Sequence, residues 1–93
     1  MSTASARHIL VTTSEACEAL KARIETGEDF AEIAKEHSQC PSGKDGGNLG
    51  EFGPGQMVPA FDLVVFNEAI GQVHGPVETQ FGFHLLEITA RSD

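Results

Sequence analysis

Apolar and polar positions change period several times along the chain, and each change predicts an element. Arg7 to Thr12 (RHILVT) is short, β-branched and apolar on both faces, as expected of an interior strand. Alternation puts His8 and Leu10 on one face and Ile9 and Val11 on the other. Residues 1–6 ahead of it are expected as a short tail. Ala16, Leu20 and Ile24, with Cys17 alongside, then recur at helical spacing. Thr12 and Glu15 form a T-x-x-E pattern that predicts a capping box for this helix, and Gly27 supplies its stop. A second helix is expected from Asp29 as cap to about Ser38, with Phe30, Ile33, Ala34 and His37 on one face. Pro59 suits the first position of a third helix, PAFDLVVFNEAI, which Gly71 ends. Gly75–Pro76 then marks a turn into a brief strand, Val77–Thr79. Gly82 to Ala90 is the last strand, with His84, Leu86 and Ile88 on one face.

Between the second and third helices the periodicity stops. His37 to Phe61 carries six of the ten glycines and three of the four prolines. A long helix is excluded there, because glycine loses too much backbone freedom and proline lacks the N–H. Yet Cys40, Leu49, Phe52, Met57 and Phe61 make the stretch too apolar for a flexible tether. It is expected to fold onto the domain as the wall of a pocket, with a short strand at Asn48–Phe52. Without repeats or a linker, residues 1–93 form a single domain of α+β class, a small, mainly antiparallel sheet carrying helices. If the first and last strands pair antiparallel, parity permits His8 and His84 to lie side by side on one face.

Charge and composition narrow the partners. A net charge of −8 argues against nucleic acid, which needs a basic stripe to displace counterions. No run approaches the ~20 apolar residues that cross a bilayer, so no membrane partner is expected. MSTASARH has no apolar core of the secretory kind. Cys17 and Cys40 are therefore expected as free thiols in the cytoplasm. No exposed hydrophobic stripe is evident beyond the pocket, and a monomer is expected.

Each candidate residue has a plain reading beside its chemical one. A strand histidine is ordinarily satisfied by a neighbouring hydroxyl or carbonyl. Two of them in apolar strands lose hydration together and invite a shared hydrogen-bond network, which Thr79 is placed to join. Cys17 is read as a small buried hydrophobe. Cys40 has the same plain reading, but a histidine beside it would make a Cys-His nucleophile pair. No close ligand pair such as C-x₂-C or H-x₃-H is present among Cys40, His8, His37 and His84, which argues against zinc. Gly43-Lys44-Asp45 and Gly53-Pro54-Gly55 do not complete a phosphate loop or a dinucleotide fingerprint.

Taken together, RHILV, FAEIAKEHSQCPSGKDGGNLGEFGPGQMVPAF and GPVETQFGFHLLEI resemble the parvulin-type peptidyl-prolyl cis–trans isomerases, especially the small stand-alone bacterial ones. The likeness runs from about Arg7 to Arg91. It implies a parvulin-like (FKBP-like) four-stranded antiparallel sheet surrounded by helices, and an isomerase that rotates the bond before proline in polypeptides. It also implies a catalytic set of His8, Cys40, Thr79 and His84. Leu49, Met57 and Phe61 match the apolar pocket for the proline ring, and Phe81 stands where some relatives have serine. The implied mechanism is non-covalent, with no metal or organic cofactor, and the substrates are proline-containing polypeptides with an apolar residue before proline. One subclass reads phosphoserine or phosphothreonine through a basic loop after the first strand. Here that loop is Thr12-Thr13-Ser14-Glu15, so phospho-directed specificity is not expected. The competing readings are a chaperone-like module that holds chains without turning them over, and a thiol hydrolase using Cys40.

Overall fold

The apolar run that begins at Arg7 is the second half of a longer strand. In the computed structural model, which describes residues 3–92, strand β1 spans Thr3–Val11. The tail expected over 1–6 is thus strand from Thr3 onward, because Ala4 and Ala6 alternate inward and are buried. Residues 1 and 2 lie outside the described part. The chain continues through helices α1 (Ser14–Glu25) and α2 (Phe30–His37), a 3₁₀ turn at Pro41–Asp45 and strand β2 (Asn48–Phe52). Helix α3 (Pro59–Val65) and strands β3 (Val73–Thr79) and β4 (Gly82–Ser92) follow. The strands lie in the order β2-β1-β4-β3, all antiparallel, as expected for an α+β fold of this kind.

Thr13, not Thr12, caps α1. Its hydroxyl accepts the Ala16 N–H at 3.1 Å, while Glu15 takes the Ser14 hydroxyl at 2.7 Å instead of reaching back. The inward stripe is correspondingly Cys17, Leu20 and Ile24, with Ala16 exposed. Asp29 caps α2 as its spacing predicts, accepting the Glu32 N–H at 3.1 Å, but His37 at the helix end is exposed.

Helix α3 stops at Val65, five residues before the pattern predicts. Arg91, far away in sequence on β4, donates to the Val65 and Glu68 carbonyls at 2.9 and 2.8 Å, supplying the partners that further helical turns would have provided. Ile70 accordingly lies outside the helix and is exposed. Strand β3 starts at Val73, ahead of Gly75–Pro76, which shifts the register between His74 and Val77 without ending the strand. Proline is tolerated there because β3 is an edge.

The two faces of the sheet pack differently. Ile9, Val11 and Leu85 face α1 and α2, where they meet Cys17, Leu20, Phe30, Ile33 and Ala34. Ala4, Ala6, Phe52 and Leu86 face α3, where they meet Phe61 and Val65. The second face also receives the histidines.

Candidate functional site

Strand register brings the two histidines together. Leu10 pairs with His84 and His8 with Leu86, so the imidazoles are diagonal neighbours on the face under α3. Both are buried, at 4% and 3% exposure. Their Nδ1 atoms are 3.1 Å apart, with ring planes 17° from parallel. His84 Nε2 lies 2.7 Å from Thr79 Oγ1, across the β3–β4 turn. His8 Nε2 lies 3.0 Å from Ser42 Oγ. Thr79–His84–His8–Ser42 is therefore one continuous row of hydrogen bonds, and all four imidazole nitrogens are occupied. Phe61 from α3 packs edge-on against both rings, with centroids 5.6 Å from His8 and 4.7 Å from His84.

Burial, reinforced by the neighbouring His84, lowers the His8 pKa to about 4, and burial lowers that of His84 too. Both rings are neutral at pH 7. A neutral imidazole carries one N–H and one bare nitrogen, which suits a row in which each ring gives one hydrogen bond and takes one.

The turn-rich stretch docks onto β1 through its backbone and the Ser38 hydroxyl. The Ser38 hydroxyl accepts the Leu10 N–H at 3.1 Å and the Cys40 N–H at 3.3 Å, and Gln39 N–H donates to Leu10 O at 2.7 Å. Nearer the histidine, His8 N–H donates to Gly47 O at 2.9 Å. A Cβ on Gly47 would fall 2.2 Å from His8 O, so only glycine lets the stretch lie this close. Between these anchors the 3₁₀ turn starting at Pro41 delivers Ser42 to His8 and leaves Cys40 half-buried beside it.

These elements enclose a cavity of about 380 Å³. His8 and His84 form its floor. Leu49, Met57, Phe61 and Phe81, all singled out in the sequence, line its walls with Cys40, and Phe81 stands at the rim, 61% exposed. Among the described residues no Asp, Glu, Lys or Arg side chain lines it. Thr79 does not reach the cavity and acts on it through His84. The Cys40 thiol has no hydrogen bond to either histidine among the described residues, since each ring nitrogen is already taken. A Cys-His nucleophile pair thus has no free base. Cys17 is buried under α1, where burial and Glu18 push its thiol up to about 11, partly offset by Lys21. Among the described residues no three His, Cys, Asp or Glu side chains group closely enough to hold a metal ion.

Sequence reasoning missed Ser42 and, of the cavity lining, Leu10, Gln39, Pro41 and Val58. Val58 sits inside the apolar run QMVPAF and lines the wall beside Met57. Ser42 carried one local signal: Pro41 at the start of a tight helical turn fixes the direction of the residue after it.

The Rotamase family model, described as the PPIC-type PPIASE domain, matches residues 6–90. The foldase protein PrsA of Geobacillus sp. (strain WCH70) is 43% identical over 89 residues, covering 95% of this chain and 32% of that protein. Chaperone SurA of Pseudomonas fluorescens (strain Pf0-1) is 42% identical over 95 residues, covering 91% and 22% respectively. The chain spans about a third or less of the length of these curated relatives. Among solved structures, the peptidylprolyl isomerase PrsA from Bacillus anthracis superposes with a TM-score of 0.95 at 35% identity, over 99% of this chain and 43% of that one. NmPin, the parvulin of Nitrosopumilus maritimus, superposes with a TM-score of 0.86 at 33% identity, over 97% of this chain and 98% of its own.

Proposed function

Because this chain belongs to the family of PPIC-type peptidyl-prolyl isomerase domains, we propose that it accelerates cis–trans rotation about X–Pro bonds in exposed polypeptide segments and so assists folding. The observation that carries this reading is the apolar cavity over two neutral histidines whose nitrogens are all engaged. Rotation about a peptide bond meets a barrier of ~18–20 kcal/mol, and no covalent bond is made or broken. The site must therefore favour the twisted amide over the planar one. A planar amide is the more polar form, and a wall of Leu49, Met57, Val58 and Phe61 takes it out of water. Holding the proline ring there while the preceding carbonyl swings disfavours the planar form more than the twisted one. In this mechanism His8 and His84 shape the floor, Thr79 and Ser42 hold them, and Cys40 tunes the wall without attacking the substrate.

The uncharged lining supports substrates with an apolar residue before proline. It gives a phosphate dianion no partner, as does the loop Thr12-Thr13-Ser14-Glu15. The site is built from residues of one chain, which supports action as a monomer, and two free thiols suit the reducing cytoplasm. Two-dimensional exchange NMR on a Leu-Pro peptide with catalytic protein tests the reading. Faster exchange with an unchanged cis:trans ratio is expected. Binding shifts without faster exchange would replace the isomerase with a module that holds peptides.

A further inference from the structure

Met57 and Val58 reach the cavity wall from the segment that links β2 to α3, residues 53–58, which contains two glycines and a proline. Glycine-rich chain of this sort loses much conformational freedom when it is held still. Two of the contacts that hold it are internal: Gly53 N–H donates to Gln56 Oε1 at 2.6 Å, and Gln56 N–H donates to Gly53 O at 3.3 Å. A third comes from outside. Gly55 N–H donates to Asp62 Oδ2 at 2.8 Å, joining the tip of the segment to the first turn of α3. Gly55 has φ +86°, a conformation that favours glycine, so the tip is shaped to aim this amide.

Asp62 makes the contact at a cost. Its other oxygen, Oδ1, is buried with no hydrogen-bond partner, the one side-chain atom so placed among the described residues. An unpaired, desolvated carboxylate oxygen lowers stability. An acid in the first turn does suit the helix dipole, but that attraction needs no contact with Gly55 and no loss of hydration. Asp62 is also the residue after Phe61, the aromatic wall that touches both histidines.

We propose that Asp62 is a positioning residue for the proline pocket, its carboxylate holding the 53–58 segment so that Met57 and Val58 stand in the wall with Phe61 before a peptide arrives. The inference rests on the isomerase reading of the cavity. A wall already in place spares the substrate the cost of ordering it, so the benefit falls on binding. A bound peptide meets the same ordered wall in either case, its ordering cost having been met in binding, and the histidine row contains neither Asp62 nor Gly55, so turnover of bound peptide is left alone.

The test compares Asp62→Ala and Asp62→Asn with the unsubstituted protein, using one Leu-Pro peptide. For Asp62→Ala, peptide Kd and KM rise about tenfold while kcat stays within about twofold, and Gly55 amide exchange speeds up. Its melting temperature holds or rises, because the unpaired oxygen has gone. Asp62→Asn keeps an acceptor for Gly55 and recovers most of the affinity. The proposal is overturned if Asp62→Ala binds peptide as tightly as the unsubstituted protein, if kcat falls with KM unchanged, or if Asp62→Asn behaves like Asp62→Ala. Should the unsubstituted protein bind the peptide without speeding its exchange, the isomerase reading fails alone. Peptide Kd and Gly55 protection still decide the role of Asp62.

Discussion

The two faces of the central strand pair have opposite characters although successive residues of the same two strands supply both. Toward α1 and α2, Ile9, Val11 and Leu85 enter a closed apolar layer. Toward α3, one residue along each strand, His8 and His84 lie beneath an open cavity. The first face is covered by helices of twelve and eight residues, the second by a seven-residue helix and a stretch rich in glycine. Long helices bring enough side chains to fill the space above a sheet. A short helix and a loop leave room for a ligand. One face holds the fold so that the other can stay hollow.

That division can be broken from either side. The largest effect is expected from Leu85→Ala, which empties the closed face: a loss of about 2–5 kcal/mol in denaturant unfolding, with exchange catalysis per folded molecule unchanged. Equal damage to catalysis would show that the faces are not separable.

Acid should act on the hollow face. The folded pKa of His8 is about 4, below the unfolded value near 6.5. Above pH 6.5 both states hold it neutral and it contributes nothing to the pH dependence. Between 6.5 and 4 the unfolded chain takes up a proton that the folded one refuses, so stability falls with pH by up to about 3 kcal/mol. Equilibrium unfolding across that range measures it, and a His8→Gln variant should show a flatter curve.

His84→Ala leaves the Thr79 hydroxyl and His8 Nδ1 without their partner. It should cost about 1–3 kcal/mol of stability and lower the rate by at least tenfold, roughly 1.4 kcal/mol in barrier. Unchanged melting and unchanged rate together would remove the histidine row from the mechanism. The smallest effect is expected from Cys40→Ser, whose thiol has no ring nitrogen to activate it. The rate in NMR exchange should fall by no more than about tenfold, and a complete loss would restore an obligatory role for the thiol.

What the sequence made legible follows from how local each signal is. Strand parity permitted His8 and His84 to share a face, but a one-residue slip would have parted them, and the register that pairs Leu10 with His84 decides it. Cys40, Leu49, Met57 and Phe61 were found as apolar side chains in a glycine- and proline-rich stretch, and Phe81 only through the family resemblance. The errors came from partners distant in sequence. Helix α3 ends where Arg91 takes the Val65 carbonyl, with that of Glu68 just beyond it, and no periodicity in residues 59–70 records that. The T-x-x-E text singles out Thr12, yet it is Thr13 that accepts the Ala16 N–H, while Glu15 takes the Ser14 hydroxyl. Ser42 joins His8 only once Gly47 has docked the turn onto β1.

The contact between the two Nδ1 atoms has a consequence of its own. Two lone pairs cannot face each other, so one proton lies between the neutral rings and they must be opposite tautomers. Either His84 gives that proton and His8 passes its Nε2–H to Ser42, or His8 gives it and His84 passes its Nε2–H to Thr79. Phe81 N–H already points at the Thr79 oxygen, so in the second arrangement that oxygen accepts two hydrogen bonds and its O–H no longer donates to His84. No ring can change alone. The floor beneath the cavity is therefore a polar wire with two directions, and its polarity reverses as a whole or not at all.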